Sequence, residues 1–278
     1  MKLLITGARG MLAQAVRPEL EGRGHEVVAL DRAALDVGSA AAVDGVIRSL
    51  RPDAVIQCAA YTRVDDAETD EAEAHRINAE ATSYVAAACR AVGARLVYPS
   101  TDYVFDGRAD TPYRPDSPTN PINAYGRSKL AGEAAASEAG DYLVVRTSWL
   151  YGAGGRNFVS TILERARRGD ALRVVADQRG SPTWTGTLAL IIAELLERRA
   201  PSGIYHATNS GETTWYHLAL EAIRLAGVET TIEPVTTAEF PRPAARPAYS
   251  VLDCSATAAV VGEIAGWREA LAEALPGL

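Results

Sequence analysis

The segment Gly7-Ala8-Arg9-Gly10-Met11-Leu12-Ala13 follows a short apolar strand, Leu3 to Thr6, and precedes an Ala-rich helical stretch. It constrains the fold more than any other feature of the chain. In such a G-x-x-G-x-x-A loop the glycines bring backbone close to a pyrophosphate, and the helix N-terminus receives it with unpaired N–H groups and a partial positive charge. Ala13 is small enough for close helix-to-sheet packing where a third glycine often stands. A tight turn without a ligand would use the same residues, so context decides. The second strand ends on Asp31, the position from which an acidic side chain hydrogen-bonds an adenosine ribose 2′-hydroxyl. That favours NAD, whereas Arg9 and Arg32 can pair with a 2′-phosphate. NADH and NADPH both stay open, and Gly7, Gly10 and Asp31 are candidate dinucleotide residues.

The rest of the first half alternates apolar runs with helical stretches. Strands are predicted at Leu3 to Thr6, Glu26 to Leu30, Ala54 to Ala59, Leu96 to Ser100 and Leu143 to Thr147. Helices are predicted near Ala13 to Glu21, Ala40 to Leu50, Glu71 to Val92 and Tyr125 to Ser137. Repeated βαβ units with near-continuous apolar strands predict an α/β fold, a doubly wound parallel sheet of Rossmann type. After Trp149 the alternation loosens to a helix around Phe158 to Arg168, a strand around Arg173 to Ala176, a helix at Thr187 to Arg198, and Ile204 to Thr208. The expected division is a dinucleotide-binding domain over 1–148, with strand and helix contributions returning from about 172–208. A smaller C-terminal α+β substrate-binding domain would occupy mainly 149–278. The Pro-bearing segment Pro234 to Pro247 is the candidate for a long functional loop.

Composition excludes several classes of function. A net charge of −7 and a pI near 5.2 argue against nucleic acid, which needs clustered Lys and Arg to displace counterions. Cys58, Cys89 and Cys254 form no CxxC pair and have no His at ligand spacing, so neither a disulfide framework nor a zinc site is expected. No uncharged apolar run approaches the roughly 20 residues of a membrane helix, and the chain opens directly on a strand. A cytoplasmic protein with no membrane partner is the expectation.

The strongest chemical signal is Tyr125-Gly126-Arg127-Ser128-Lys129. Tyr and Lys four apart on a helix share a face. An ammonium beside a phenol stabilises the phenolate and draws its pKa toward neutrality, which makes an acid–base catalyst. The same spacing also occurs in surface pairs. Ser100-Thr101-Asp102-Tyr103-Val104-Phe105 starts where a predicted strand ends, the edge at which open α/β sheets hold ligands. There the Thr101 hydroxyl could align a carbonyl, or simply cap the strand end.

Together these residues resemble the extended short-chain dehydrogenase/reductases, whose catalytic set is Ser or Thr, Tyr and Lys. More closely, Ala59 to Glu68, Ser100 to Gly107, Arg146 to Gly152, Gly180 to Thr183 and Arg246-Pro247 are similar to the dTDP-4-dehydrorhamnose reductase family. The resemblance implies a reductase for the 4-keto group of a dTDP-linked 6-deoxyhexose, using NADPH or NADH. It implies Thr101, Tyr125 and Lys129 as the catalytic set, with Tyr125 the proton donor and Lys129 the ribose-binding residue. The backbone of Gly10, Met11 and Leu12 would line the pyrophosphate. Asp36 and Val37 would flank the adenine, and Ala60, Tyr61 and Thr62 would border the nicotinamide half. Thr101, Asp102 and Trp149 would contact the sugar nucleotide, Asn157 and Arg246 its diphosphate, and Asn78 would support the site. Trp149 also reads as a core or rim aromatic, and Arg246 as a solvated loop residue. Some members hold magnesium at a dimer interface through glutamates. Here the matching positions are Gln14 and Gly186, so no metal is expected, and the unit would be a monomer or homodimer. A reductase or epimerase of another nucleotide sugar, and a non-catalytic regulatory relative, are the competing readings.

Overall fold

A computed structural model describes residues 1–278. The five predicted strands are β1 (Lys2–Thr6), β2 (Glu26–Leu30), β3 (Ala54–Gln57), β4 (Arg95–Thr101) and β5 (Tyr142–Thr147). With β10 (Gly203–His206) they form one parallel sheet in the order β2-β1-β3-β4-β5-β10. Helices cover both faces, which is why Leu3, Leu4, Ile5, Val55 and Ile56 in succession are fully buried. On one face α1 (Met11–Gly22) packs beside α7 (Thr185–Glu197) through Val16, Leu20, Ile192 and Leu195. On the other, α2 (Ala40–Leu50), α4 (Ala81–Val92) and α5 (Ala124–Ser137) cover Leu4, Leu96 and Tyr98. Each such aliphatic side chain contributes roughly 1.5–3 kcal/mol on full burial. The chain runs outward from β1 to β2 and then returns to the other side of β1 at β3. That reversal opens a crevice at the carboxyl ends of β1 and β3, where α/β sheets hold ligands.

Some boundaries depart from expectation. The third strand stops at Gln57 rather than Ala59, because the next residues swing over the glycine loop: a Cβ on Gly7 would lie 2.6 Å from the Ala59 nitrogen. The helix predicted over 71–92 is interrupted. α3 (Glu71–His75) passes through a π-turn, Arg76–Glu80, before α4. The Asn78 carbonyl within that turn accepts from Thr82 Oγ1 at 2.8 Å and from the Tyr98 hydroxyl at 2.9 Å. Single π-turns of this kind mark functional sites often enough to be informative.

Within 172–208, α7 and β10 join the sheet layers. β7 (Leu172–Val175) instead pairs with β12 (Ile232–Val235), outside the central sheet. The first residues of the expected Pro-bearing loop are therefore strand. The remaining chain adds the short pairs β6 (Leu150–Tyr151) with β9 (Thr183–Trp184), and β8 (Arg179–Gly180) with β11 (Thr213–Thr214). It also adds α6 (Phe158–Arg167), α8 (Trp215–Leu225), α9 (Ser255–Val261) and α10 (Trp267–Ala274), of which only α6 was foreseen. Tyr151, Leu163, Leu218, Trp267 and Leu271 form their core. No helix is long and apolar enough to cross a membrane.

Candidate active site

A groove of about 700 Å³ lies over the crevice, lined by Gly7 and Gly10 after β1, Asp31, Asp36 and Val37 after β2, and Ala60 to Thr62 after β3. Gly7 has φ +67°, and any side chain there would run into the Ala59 backbone. Gly10 caps α1, and Met11 and Leu12 form its first turn. They present N–H groups that no helical carbonyl can reach. The Leu12 side chain turns into the core. The Met11 sulfur lies 3.7 Å from Asn157 Nδ2. Asp31 accepts from the Ala33 and Ala34 nitrogens at 3.0 and 3.1 Å and pairs with Arg9 at 2.7 Å. The Ala34 N–H, followed by the Arg9 charge, holds its carboxyl below the usual range. Arg9 and Arg32 both line the groove. Unpaired N–H groups, a helix N-terminus and two guanidiniums form a donor set suited to an anionic dinucleotide.

Asn78 ties the groove to the helix beyond it. Its amide accepts from the Tyr61 nitrogen at 2.9 Å and donates to the Tyr61 carbonyl at 3.0 Å and to Ser128 Oγ at 2.9 Å. The π-turn thereby couples the lining segment Ala60 to Thr62 to α5. Asn123 caps α5, accepting from the Gly126 nitrogen at 2.7 Å, and sets the phase in which Tyr125 and Lys129 face inward. Tyr125 packs in one apolar cluster with Tyr61 and lies edge-on to Tyr103 with ring centres 6.0 Å apart. Burial first, and then the neighbouring Asp102 charge, push its phenol well above the ordinary value, with the Thr101 hydroxyl opposing.

Lys129 corrects one expectation. Its amine donates to the Pro99 carbonyl at 2.7 Å and sits 3.9 Å from the Tyr98 ring centre. Burial lowers the amine to about 7, while Glu133 and Cys58 oppose that shift. Burial therefore outweighs any downward pull of the amine on the Tyr125 phenol.

Thr101 caps the strand end. Its hydroxyl accepts from the Tyr103 nitrogen as a cap at 3.2 Å and donates to Asp102 Oδ1 at 3.1 Å. Asp102 is buried, its other oxygen has no hydrogen-bond partner, and burial raises it to about 7 against the opposing influence of the nearby Ser250 and Thr101 hydroxyls. An orphaned buried carboxyl oxygen beside Tyr125 suits a hydroxyl-bearing ligand.

Trp149 has φ +48° and stacks on Trp215 at 3.7 Å between ring centres, with Gly180 pressed against it. Asn157 spends its amide on structure: it accepts from the Ser160 nitrogen at 3.0 Å as the cap of α6 and donates to the Gly152 carbonyl at 2.8 Å. Arg246 is not a solvated loop residue. It donates to Asp65 Oδ1 at 2.5 Å, and Arg242 donates to Asp65 Oδ2. Although burial works the other way, these guanidiniums and the Ala244 N–H hold Asp65 below the usual range.

Sequence reasoning did not reveal this clasp. Nothing local announces a pairing 181 residues apart. It also missed Glu133, whose spacing of four beyond Lys129 was available as a signal.

The family model described as the RmlD substrate binding domain matches residues 1–278. The chain is 48% identical to a dTDP-4-dehydrorhamnose reductase of Streptomyces griseus, spanning 99% of this chain and 93% of that one. A dTDP-4-dehydrorhamnose reductase structure from Bacillus anthracis, in complex with NADP, superposes with a TM-score of 0.96 at 38% identity over 100% and 99% of the two chains. A dTDP-4-dehydrorhamnose reductase structure from Clostridium acetobutylicum does so with a TM-score of 0.95 at 40% identity over 99% of each.

Proposed function

This chain belongs to the family described as the RmlD substrate binding domain, and on that premise we propose that it reduces the 4-keto group of a dTDP-linked 4-dehydro-6-deoxyhexose, converting dTDP-4-dehydrorhamnose to dTDP-rhamnose with NADPH or NADH. The observation that carries this reading is the convergence of Thr101, Tyr125 and Lys129 at the carboxyl end of β4, with Tyr125 packed against the groove residue Tyr61.

The groove residues Gly7, Gly10, Asp31, Asp36, Val37, Ala60, Tyr61 and Thr62 would hold the dinucleotide, with the backbone of Met11 and Leu12 in the first turn of α1 meeting its pyrophosphate. Bound there, a reduced nicotinamide supplies hydride to the keto carbon. Tyr125 delivers a proton to the developing alkoxide. A reductase needs that phenol loaded before the transfer, and its burial beside the Asp102 charge keeps it protonated at neutral pH. The Thr101 hydroxyl orients the ketone, and the Lys129 amine holds the nicotinamide ribose. Asp102 offers its free carboxyl oxygen to a sugar hydroxyl, and Trp149 walls the sugar pocket. Arg246 would meet the substrate diphosphate once released by Asp65. Asn157 acts by holding the loop beside Met11.

In this reading residues 1–148 bind the dinucleotide and 149–278 mainly the substrate, as a monomer or homodimer. Three free cysteines suit the reducing cytoplasm. Incubating the purified protein with dTDP-4-dehydrorhamnose and reduced nicotinamide should consume one cofactor per sugar and yield the 4-hydroxy product. Turnover of only a GDP- or UDP-linked ketone would overturn the substrate, and cofactor regeneration would indicate an epimerase.

A further inference from the structure

The sequence contains 28 cationic residues, of which only Lys2 and Lys129 are lysines. Lys2 is on the surface against Glu26. Lys129 is the one buried lysine, an amine that can titrate among guanidiniums that cannot. Glu133 and Arg146, which stand beyond that amine, take no part in the mechanism above.

Tyr125, Lys129 and Glu133 recur every four residues on α5 and so share a face. Lys129 and Glu133 are both buried. The Glu133 carboxylate accepts from Ser100 Oγ at 2.5 Å and from two nitrogens of Arg146 on β5, at 2.9 and 2.7 Å. Arg146 is itself buried, donates to the Pro115 carbonyl at 3.2 Å and faces His206 Nε2 at 3.5 Å. Burial, reinforced by the Arg146 charge, lowers His206 to about 3, so it is neutral near pH 7.

The groups facing Lys129 are therefore Tyr125 and Glu133 from α5, the Tyr98 ring and Pro99 carbonyl from β4, and Cys58 after β3. Arg146 stands behind Glu133, and His206 behind Arg146. In this water-poor cluster Glu133 is ion-paired with Arg146, and Lys129 stands one helical turn away on the same face of α5, close enough for charges in a low-dielectric interior to act on one another.

We propose that Glu133, braced by Arg146 and Ser100, is a positioning residue that keeps the Lys129 amine charged beside the reaction centre. Without the Glu133 charge the buried Arg146 guanidinium would remain, and Lys129 is the only one of the two cations that can shed a proton. Without the Arg146 charge the Glu133 carboxylate would act on Lys129 unopposed. The two losses therefore move Lys129 in opposite directions, which a purely structural role would not do. For its catalytic meaning the inference rests on the reductase reading, but the titration of Lys129 does not.

The test is a pH titration of the lysine 13Cε signals in the protein labelled at lysine, where only two resonances appear and Lys2 serves as internal control. In Glu133→Gln the Lys129 midpoint should fall by about one pH unit or more, and in Arg146→Gln it should rise, with Lys2 unmoved. The alkaline limb of kcat should follow the same directions. If Glu133→Gln does not fold, Arg146→Gln decides alone. No shift, or shifts of the same sign in both folded variants, overturns the proposal. Failure of the wild-type protein to reduce any nucleotide-linked ketone would overturn the reductase reading and leave the titration result standing.

Discussion

Arg246 Nη1 lies 2.5 Å from Asp65 Oδ1, so a guanidinium near the end of the chain fastens the segment after β12 to the loop that follows β3. Arg242 grips the other carboxylate oxygen. Asp65→Asn should release this clasp. Because the folded carboxyl is held below its ordinary value, the stability it gives is present above the unfolded pKa and fades as pH falls through the folded one. The wild type should exceed the variant by about 1 kcal/mol at neutral pH, since the pair is partly solvated. The gap should close below about pH 4. Thermal melts of both proteins across pH check this, and a gap independent of pH would refute it.

Tyr125→Phe keeps the ring against Tyr103 and Tyr61 and removes only the hydroxyl that carries the proton. A loss of about 10²–10⁴-fold in kcat is expected. Affinity for the reduced cofactor, read by fluorescence titration, should stay near wild type. Retained turnover would remove Tyr125 from the donor role.

Asp102 titrates in reverse to Asp65. Its carboxyl is raised from 3.8 to about 7 by burial, so its neutral form suits the fold; the associated stability is present below the unfolded pKa and lost as pH rises through the folded one. Asp102→Asn should therefore gain on the wild type in unfolding experiments between about pH 4 and pH 7, by an upper bound of about 4 kcal/mol. Equal pH profiles would mean the carboxyl ionises normally. Activity should drop, because the free oxygen is replaced by an amide.

Gly7→Ala places a methyl at φ +67° and 2.6 Å from a backbone nitrogen that has no room to yield. A destabilisation of about 2–4 kcal/mol and loss of cofactor binding are expected. Gly10→Ala, at φ −71° with the nearest atom 3.2 Å away, should cost clearly less. Denaturant unfolding of the pair separates them, and equal losses would contradict the geometry.

Arg9 and Arg32 stand at the Asp31 end of the groove. Replacing both by Ala should lower the preference for NADPH over NADH by about tenfold, the size of one lost charged hydrogen bond. The ratio of kcat/KM for the two cofactors measures it. An unchanged ratio would place the 2′-position elsewhere.

The sequence by itself determined the sheet and the approach to it. Val- and Ile-rich runs alternating with helical periods leave few alternatives to βαβ units, and Gly7 and Gly10 sit where backbone must come close. Tyr125 and Lys129 were legible because a spacing of four on a helix is a local geometric fact. Tertiary structure decided what lies between distant segments: the clasp of Asp65 by Arg242 and Arg246, the stack of Trp149 on Trp215, and the brace of Arg146 on Glu133. It also decided the electrostatics. Burial raises Asp102, lowers Lys129 and leaves Tyr125 protonated, against the sequence-based expectation that Lys129 would pull the phenol down. Burial depends on every element that packs around a group, and no window of neighbouring residues contains that information.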